Sequence, residues 1–161
     1  MRGLAGRRFL VAGGASGIGE ATARRLAEEG ALVVIADRNA AAAARIAGDL
    51  GTTAEWMVYE QSDAESVVDL FRQVSDAGPL HGVALVAGVH LGSIALADIT
   101  PTAFAHVHGV NVQGVLRVLQ LAVDTVVVDV RNPGELAGGM ITGAVNIPLA
   151  RLLDQDRKSV V

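Results

Sequence analysis

Between Val11 and Glu20 the chain reads Val-Ala-Gly-Gly-Ala-Ser-Gly-Ile-Gly-Glu, an apolar run giving way to closely spaced glycines. A strand from Phe9 to Ala12, a glycine-rich turn and a helix from Ile18 to Glu29 would bring bare backbone N–H groups to a helix start. Such a start carries about half a positive charge and suits a diphosphate. Gly13 would let the chain leave the strand sharply, Gly17 would let backbone approach phosphate oxygens, and Gly19 would let the helix pack close to the sheet. Ala15, Ser16 and Ile18 complete the turn. Glycines also serve tight strand-to-helix turns for structural reasons alone, so the surroundings decide.

The surroundings point the same way. Leu32 to Ala36 has the composition of a buried parallel strand, and Asp37 comes next at its carboxyl end, 18 residues past Gly19. A carboxylate about 20 residues beyond such a turn accepts hydrogen bonds from the adenosine ribose hydroxyls and repels a 2′-phosphate. The expected cofactor is therefore NAD rather than NADP. Arg38, beside the same ribose, would offset part of that repulsion.

Positioning these groups at one edge takes alternating elements. Beyond the first two strands and the helix between them, Ala40–Leu50 reads as a second helix ending at Gly51, and Ala54–Tyr59 as a third strand. Asp63 reads as an N-cap for a helix over Ala64–Ala77 whose Val67, Leu70 and Phe71 face inward. Gly82–Ala87 is a fourth strand, Thr102 to Val123 is largely helical, and Thr125–Val130 is a fifth strand. On the first helix Ile18, Thr22 and Leu26 recur at every fourth position and predict its inner face. Strands alternating with helices predict an α/β fold, a three-layer αβα sandwich of Rossmann type with a parallel sheet of five or more strands. Its ligand crevice lies at the carboxyl ends of the strands, where Gly13–Gly19, Asp37, Gly88 and Asp129 all fall.

Composition narrows the classes. The 161 residues are 51% hydrophobic with a net charge of −4, which argues against nucleic acid as a partner. Cysteine is absent, which excludes disulfides, thiolate metal sites and thiol catalysis. No apolar stretch reaches the ~20 residues that span a bilayer, so no membrane partner is expected. The basic start before an apolar run could pass for a signal peptide. Its apolar core is short and leads straight into the glycine turn, so it reads as the first strand and a cytoplasmic location is expected. His106 and His108, two apart on a helix, diverge and cannot share an ion, so no metal is expected. Trp56, at strand spacing with Val58, reads as core or edge packing.

Residues 7 to about 122 resemble the N-terminal half of a short-chain dehydrogenase/reductase. Gly13-x-x-x-Gly17-Ile18-Gly19 looks like that family's cofactor loop, with Ala12 in place of its threonine. Val34-Ile-Ala-Asp37-Arg38 looks like its NAD-selecting strand end. Glu60 stands where the family has an aspartate touching adenine. Ala87-Gly88 matches the end of its Asn-Asn-Ala-Gly motif, near the nicotinamide ribose, with Leu85 and Val86 replacing both asparagines. Val110-Asn111-Val-Gln-Gly114 resembles the helix segment whose asparagine belongs to the catalytic tetrad. On the residues alone, Asn111 reads rather as bonding neighbouring backbone within its helix. The resemblance also implies copies pairing through that helix.

Two departures limit what the resemblance implies. The family carries a catalytic serine and then Tyr-x-x-x-Lys, yet the chain has one tyrosine, Tyr59, and one lysine, Lys158, and no such motif. Carbonyl reduction needs an acid to protonate the oxygen, a contribution of ~10²–10⁴-fold. A tetrad reduced to Asn111 predicts no competent dehydrogenase unless another acid, such as His90 just past Gly88, serves. The second departure is the segment from 124 to 161. Val126-Val-Val-Asp129-Val-Arg131-Asn-Pro-Gly-Glu135 and Gly139-Met140-Ile-Thr142-Gly-Ala-Val-Asn-Ile-Pro148 resemble the first half of a rhodanese-like domain. Met140 and Thr142 replace that family's histidine and proline. Sulfur transfer there passes through a cysteine persulfide, which this sequence cannot form. The chain thus divides into a dinucleotide-binding part, 1–123, and a rhodanese-like fragment, 124–161, expected to continue the same sheet beside the fourth strand. Residues 144–147 and 158–161 are candidate short strands. The resulting readings are a silent NAD binder, an active dehydrogenase with an unusual acid, and a rhodanese-like interaction module.

Overall fold

The computed structural model describes residues 3–122, together with Val128–Asp129 and Val145–Asn146. Two apolar runs, Phe9–Ala12 and Leu32–Ala36, form the middle of the sheet within β1 (Arg8–Ala12) and β2 (Leu32–Asp37). β3 (Ala54–Val58) pairs with β2 and β4 (Gly82–Leu85) with β1, all parallel, giving the order β3-β2-β1-β4. The strand order reverses at β1, because the chain moves outward from β1 to β3 and then returns to its other side.

Period-two alternation sends the strand side chains to two cores. Leu10, Ala12, Val34 and Ala36 pack with Val67, Leu70 and Val74 of α3 (Ala64–Asp76) and Val118 of α5 (Val115–Leu121). Val11, Val33 and Ile35 pack on the opposite face with Ala23 of α1 (Gly17–Glu28) and Ala43 and Ile46 of α2 (Ala40–Leu50). Each fully buried Val, Leu or Ile stabilises the fold by about 1.5–3 kcal/mol. The three layers are those expected. Among the described residues no helix is long and apolar enough to cross a membrane.

Local chemistry sets the helix ends. Asn39 Oδ1 accepts the Ala42 N–H at the start of α2, and Asp63 Oδ1 accepts those of Glu65 and Ser66 at the start of α3. Thr100 Oγ1 accepts the Ala103 N–H before α4 (Pro101–His108). Such caps contribute about 0.5–2 kcal/mol each. The buried Arg8 side chain donates to the Val74 and Gly78 carbonyls, closing the far end of α3, and pairs with Glu55 at 3.3 Å.

Several expectations are corrected. The buried residues of α1 are Gly19 and Ala23, with the expected Leu26 packed against the same core, while Ile18 is 54% exposed. The small residues win because the helix start lies against the Gly13 and Gly14 backbone, where Gly19 fits and an isoleucine would not. Trp56 and Val58 share the edge strand β3 and are both exposed. β4 stops at Leu85 because the N–H groups of Val86 and Ala87 both turn to the Ala12 carbonyl, at 2.9 and 2.8 Å. The stretch expected to be largely helical runs from Pro101 to Leu121, with a π-helical segment, Gly109–Gly114, between α4 and α5. The main sheet has four strands among the described residues, not five or more. β5 (Val128–Asp129) takes its ladder partners from β6 (Val145–Asn146), with Val128 opposite Val145, and lies near β4 without a ladder to it among the described residues. The rest of the 124–161 segment, including Arg131 and the candidate strand at 158–161, lies outside the described residues.

Candidate functional site

A cavity of about 310 Å³ opens at the carboxyl ends of the strands, on the reversal of strand order. Of the residues singled out in the sequence, Gly13, Ser16, Gly17, Ile18, Asp37, Arg38, Glu60, Ala87 and Gly88 line it. Ala15, Gly19 and Asn111 do not, and each acts from behind the wall.

The glycine turn is shaped by close approach. Gly13 adopts φ +84°, and a Cβ there would collide with the Ala87 backbone, so the turn after β1 approaches the segment beyond β4 this closely only because Gly13 has no side chain. A Cβ at Gly19 would strike the Gly13 carbonyl oxygen. The Gly13 and Gly14 N–H groups are spent on the Ala36 carbonyl, at 2.8 and 3.2 Å. Beyond them α1 begins with Ser16 as N-cap, and no side chain caps it. That contrasts with the capped starts of α2, α3 and α4. The first-turn N–H groups of α1 therefore face the cavity with no side chain competing for them.

Asp37 holds this turn together. Its Oδ2 accepts the Ala15 N–H at 3.0 Å and its Oδ1 the Asn39 N–H at 2.9 Å. Each oxygen keeps a lone pair for a further donor. Arg38 is exposed at the same rim and makes no hydrogen bond or ion pair among the described residues. Glu60 turns inward on its own loop: Oε1 accepts the N–H and hydroxyl of Ser62, at 3.1 and 2.8 Å.

Asn111 is not bonded within its own helix as the residues alone suggested. The π-helical segment aims its amide across 22 residues of sequence at Val89, taking the Val89 N–H at 2.9 Å and donating to its carbonyl at 2.8 Å. This two-point clamp anchors the strand-end loop behind Gly88. His90 is exposed, spends Nδ1 on the Gly92 N–H at 2.9 Å, and does not line the cavity. His108 stacks on Phe104, with ring centroids 6.1 Å apart.

Sequence reasoning missed Tyr59, Gln61, Val86, Val89 and Val110, which also line the cavity. Tyr59 is buried, and its phenol is pushed well above the ordinary tyrosine range, first by desolvation and then by the charges of Glu60 and Asp37. Such a phenol stays protonated and donates to Gln61 Oε1. The first apolar residues after the β4 ladder were the available signal for Val86 and Val89. The two Nε2 bonds of Gln61 join distant segments and leave no local pattern.

Comparison with known proteins agrees with this geometry. A model of the short chain dehydrogenase family matches residues 7–138. Cis-4-hydroxycyclohexanecarboxylate dehydrogenase of Sinomonas cyclohexanicum is 38% identical over 115 residues, 70% of this chain and 46% of that protein. A 3-ketoacyl-(acyl-carrier-protein) reductase from Brucella melitensis, solved with NADH, superposes with a TM-score of 0.75 at 29% identity, over 82% of this chain and 59% of the other. The Pseudomonas aeruginosa RhlG/NADP active-site complex gives 0.72 at 27% identity, over 78% and 54%. The chain spans about half the length of the curated relatives it matches. With the glycine turn, the strand order and a family match over most of its length in agreement, the chain belongs to the short-chain dehydrogenase family.

Proposed function

We propose that the chain binds NAD through its adenosine diphosphate half and that these 161 residues turn over no carbonyl or alcohol by themselves. The observation that carries the reading is the uncapped start of α1 opening into a cavity that has Asp37 on its rim. The N–H groups there would take the pyrophosphate, and Asp37 the adenosine ribose. In this reading adenosine would lie over β2 and the nicotinamide side toward β4, beside Ala87, Gly88 and Val89, which the strand order and the cavity lining support. A volume of about 310 Å³ is at the small end for ligand sites (~300–1,000 Å³) and suits half a dinucleotide. Asp37 favours NAD; the free Arg38 guanidinium is the feature that would welcome NADP.

The nicotinamide ring, when bound, supplies hydride transfer. This chain offers no acid to complete it: the serine and Tyr-x-x-x-Lys are absent, Tyr59 is buried and engaged, and Asn111 clamps Val89. The His90 alternative is disfavoured by its position outside the cavity. Residues 124–161 keep the reading of a rhodanese-like fragment, without sulfur transfer for want of cysteine. Pairing of copies belongs to the same proposal, with Phe104, Val112 and Leu116 exposed along the helix that carries Asn111.

Calorimetry with NAD and NADP, on the parent and on Asp37→Ala, tests this. The parent should prefer NAD, and the variant should lose about tenfold or more in NAD affinity and most of the preference, as befits a hydrogen bond to a charged group. Equal affinity for the two in the parent refutes the role of Asp37. Binding of neither refutes the whole reading.

A further inference from the structure

Where β3 ends, the chain turns back across the strand ends and carries Gln61 into the interior, 3% exposed. Both ends of its amide are used. Oε1 accepts the Tyr59 hydroxyl, while Nε2 donates to the Ala87 carbonyl at 3.1 Å and the Val110 carbonyl at 2.9 Å. Chemistry fixes which way the amide points. Two carbonyl oxygens can only accept, so the NH₂ group faces them, and Oε1 is left to a hydroxyl that donates. The reversed amide would set oxygen against two oxygens. The fit is close enough that a Cβ at Gly114 would overlap the Gln61 side chain and carbonyl.

The geometry points to Gln61, oriented by the Tyr59 hydroxyl, as a positioning residue that sets the Ala87–Val89 wall of the cavity and so governs dinucleotide affinity. Its two donations tie the end of β4 to the segment that carries Asn111, and Asn111 in turn clamps Val89. The loop after β3, the segment beyond β4 and the π-helical segment are thus joined by one amide. This rests on the dinucleotide reading above.

The test measures NAD affinity by calorimetry from about pH 5 to about pH 8 in the parent, Gln61→Met, Gln61→Glu and Tyr59→Phe. Methionine keeps the shape and removes both donors, so affinity should fall about tenfold at every pH. The Gln61→Glu carboxylate would face two carbonyls at high pH and regain one donor when protonated, so its deficit should shrink on acidification. Tyr59→Phe should weaken binding less than Gln61→Met, because both donations survive. The charged groups around the position are Glu60 and Asp63 on the same loop, Asp37 at the end of β2, and Arg117 of α5, which donates to the Ser62 carbonyl. All remain in every variant, so each profile is read as a ratio to the parent.

Parent-like binding by Gln61→Met, or a Gln61→Glu deficit that is the same at both ends of the pH range, overturns the inference. Should Gln61→Glu fail to fold, Gln61→Met alone decides, at a pH where its unliganded Tm matches the parent. A parent that binds no dinucleotide sinks the proposed function itself; a parent that binds, with variants unchanged, sinks only the role of Gln61.

Discussion

Gly19→Ala is the sharpest steric probe of the site, because one methyl group is asked to enter a place the Gly13 carbonyl already occupies. The obstacle is backbone on both sides, so no flexible side chain can yield. Either α1 moves away from β1 or the turn between them deforms. Overpacking of this kind costs about 1–3 kcal/mol. Gly17→Ala is the control. A Cβ there meets nothing within 4 Å, and the only penalty is the left-handed backbone at φ +51°. That is about 1–2 kcal/mol. Urea unfolding of the two variants separates space from conformation: Gly19→Ala should lose at least as much stability, and its slope m should match the parent if only the native state is affected. Nucleotide affinity adds a second axis, since Gly17 lines the cavity and Gly19 does not. Gly17→Ala should therefore weaken binding more than its stability change suggests. A Gly19→Ala protein as stable as the parent would refute the close packing of α1 on the turn.

The single tyrosine provides a second reading. Tyr59 should resist ionisation past about pH 10, the ordinary tyrosine value, and phenolate absorbance should appear only as the protein unfolds. Because the folded pKa is raised, the associated stability is present below the unfolded value and declines as pH rises beyond it, and Tyr59→Phe should remove that decline. Ordinary titration of Tyr59 in the folded protein would contradict its burial. A third concerns the surface ring in which Arg24 and Arg45 each bridge Glu20 and Asp49. The Arg24 hydrogen bond holds both carboxyls below their usual range. Folded pKa values below the unfolded ones give stability that is present above the carboxylate range and lost as pH falls through the folded values. Acid unfolding should thus begin near pH ~4, and Arg24→Ala should flatten that limb, with ~1 M salt doing the same to the parent. An unchanged acid limb would show that the ring contributes nothing to folding.

Legibility in the sequence depends on how locally each feature is encoded. β1 and β2 are apolar runs buried on both faces, and Asp63 caps the helix directly after it; both are readable within a few residues. The cavity wall at Gly13, Ser16, Gly17, Ile18 and Asp37 was legible because one turn and one strand end build it. Ile18 misled because periodicity treats every helical position as equally free to face the core, whereas close backbone contact reserves the start of the inner face of α1 for Gly19; further along, the predicted Leu26 does pack on the core. The partners of Gln61 and Asn111 lie 26, 49 and 22 residues away and have no local signature. The end of β4 was overrun for a related reason, since Val86 and Ala87 look like strand until both N–H groups are seen on Ala12.

The π-helical segment Gly109–Gly114 has a consequence for the register of the helix beyond it. Each residue added to a helical turn rotates the downstream side chains by about 100°. Val118 and Ala122 reach the interior only because that offset has been applied, while Phe104 upstream stays outside. Deleting one residue between 109 and 114 would leave a smoother helix with its second half facing the wrong way, so this interruption sets the phase of two helix faces at once.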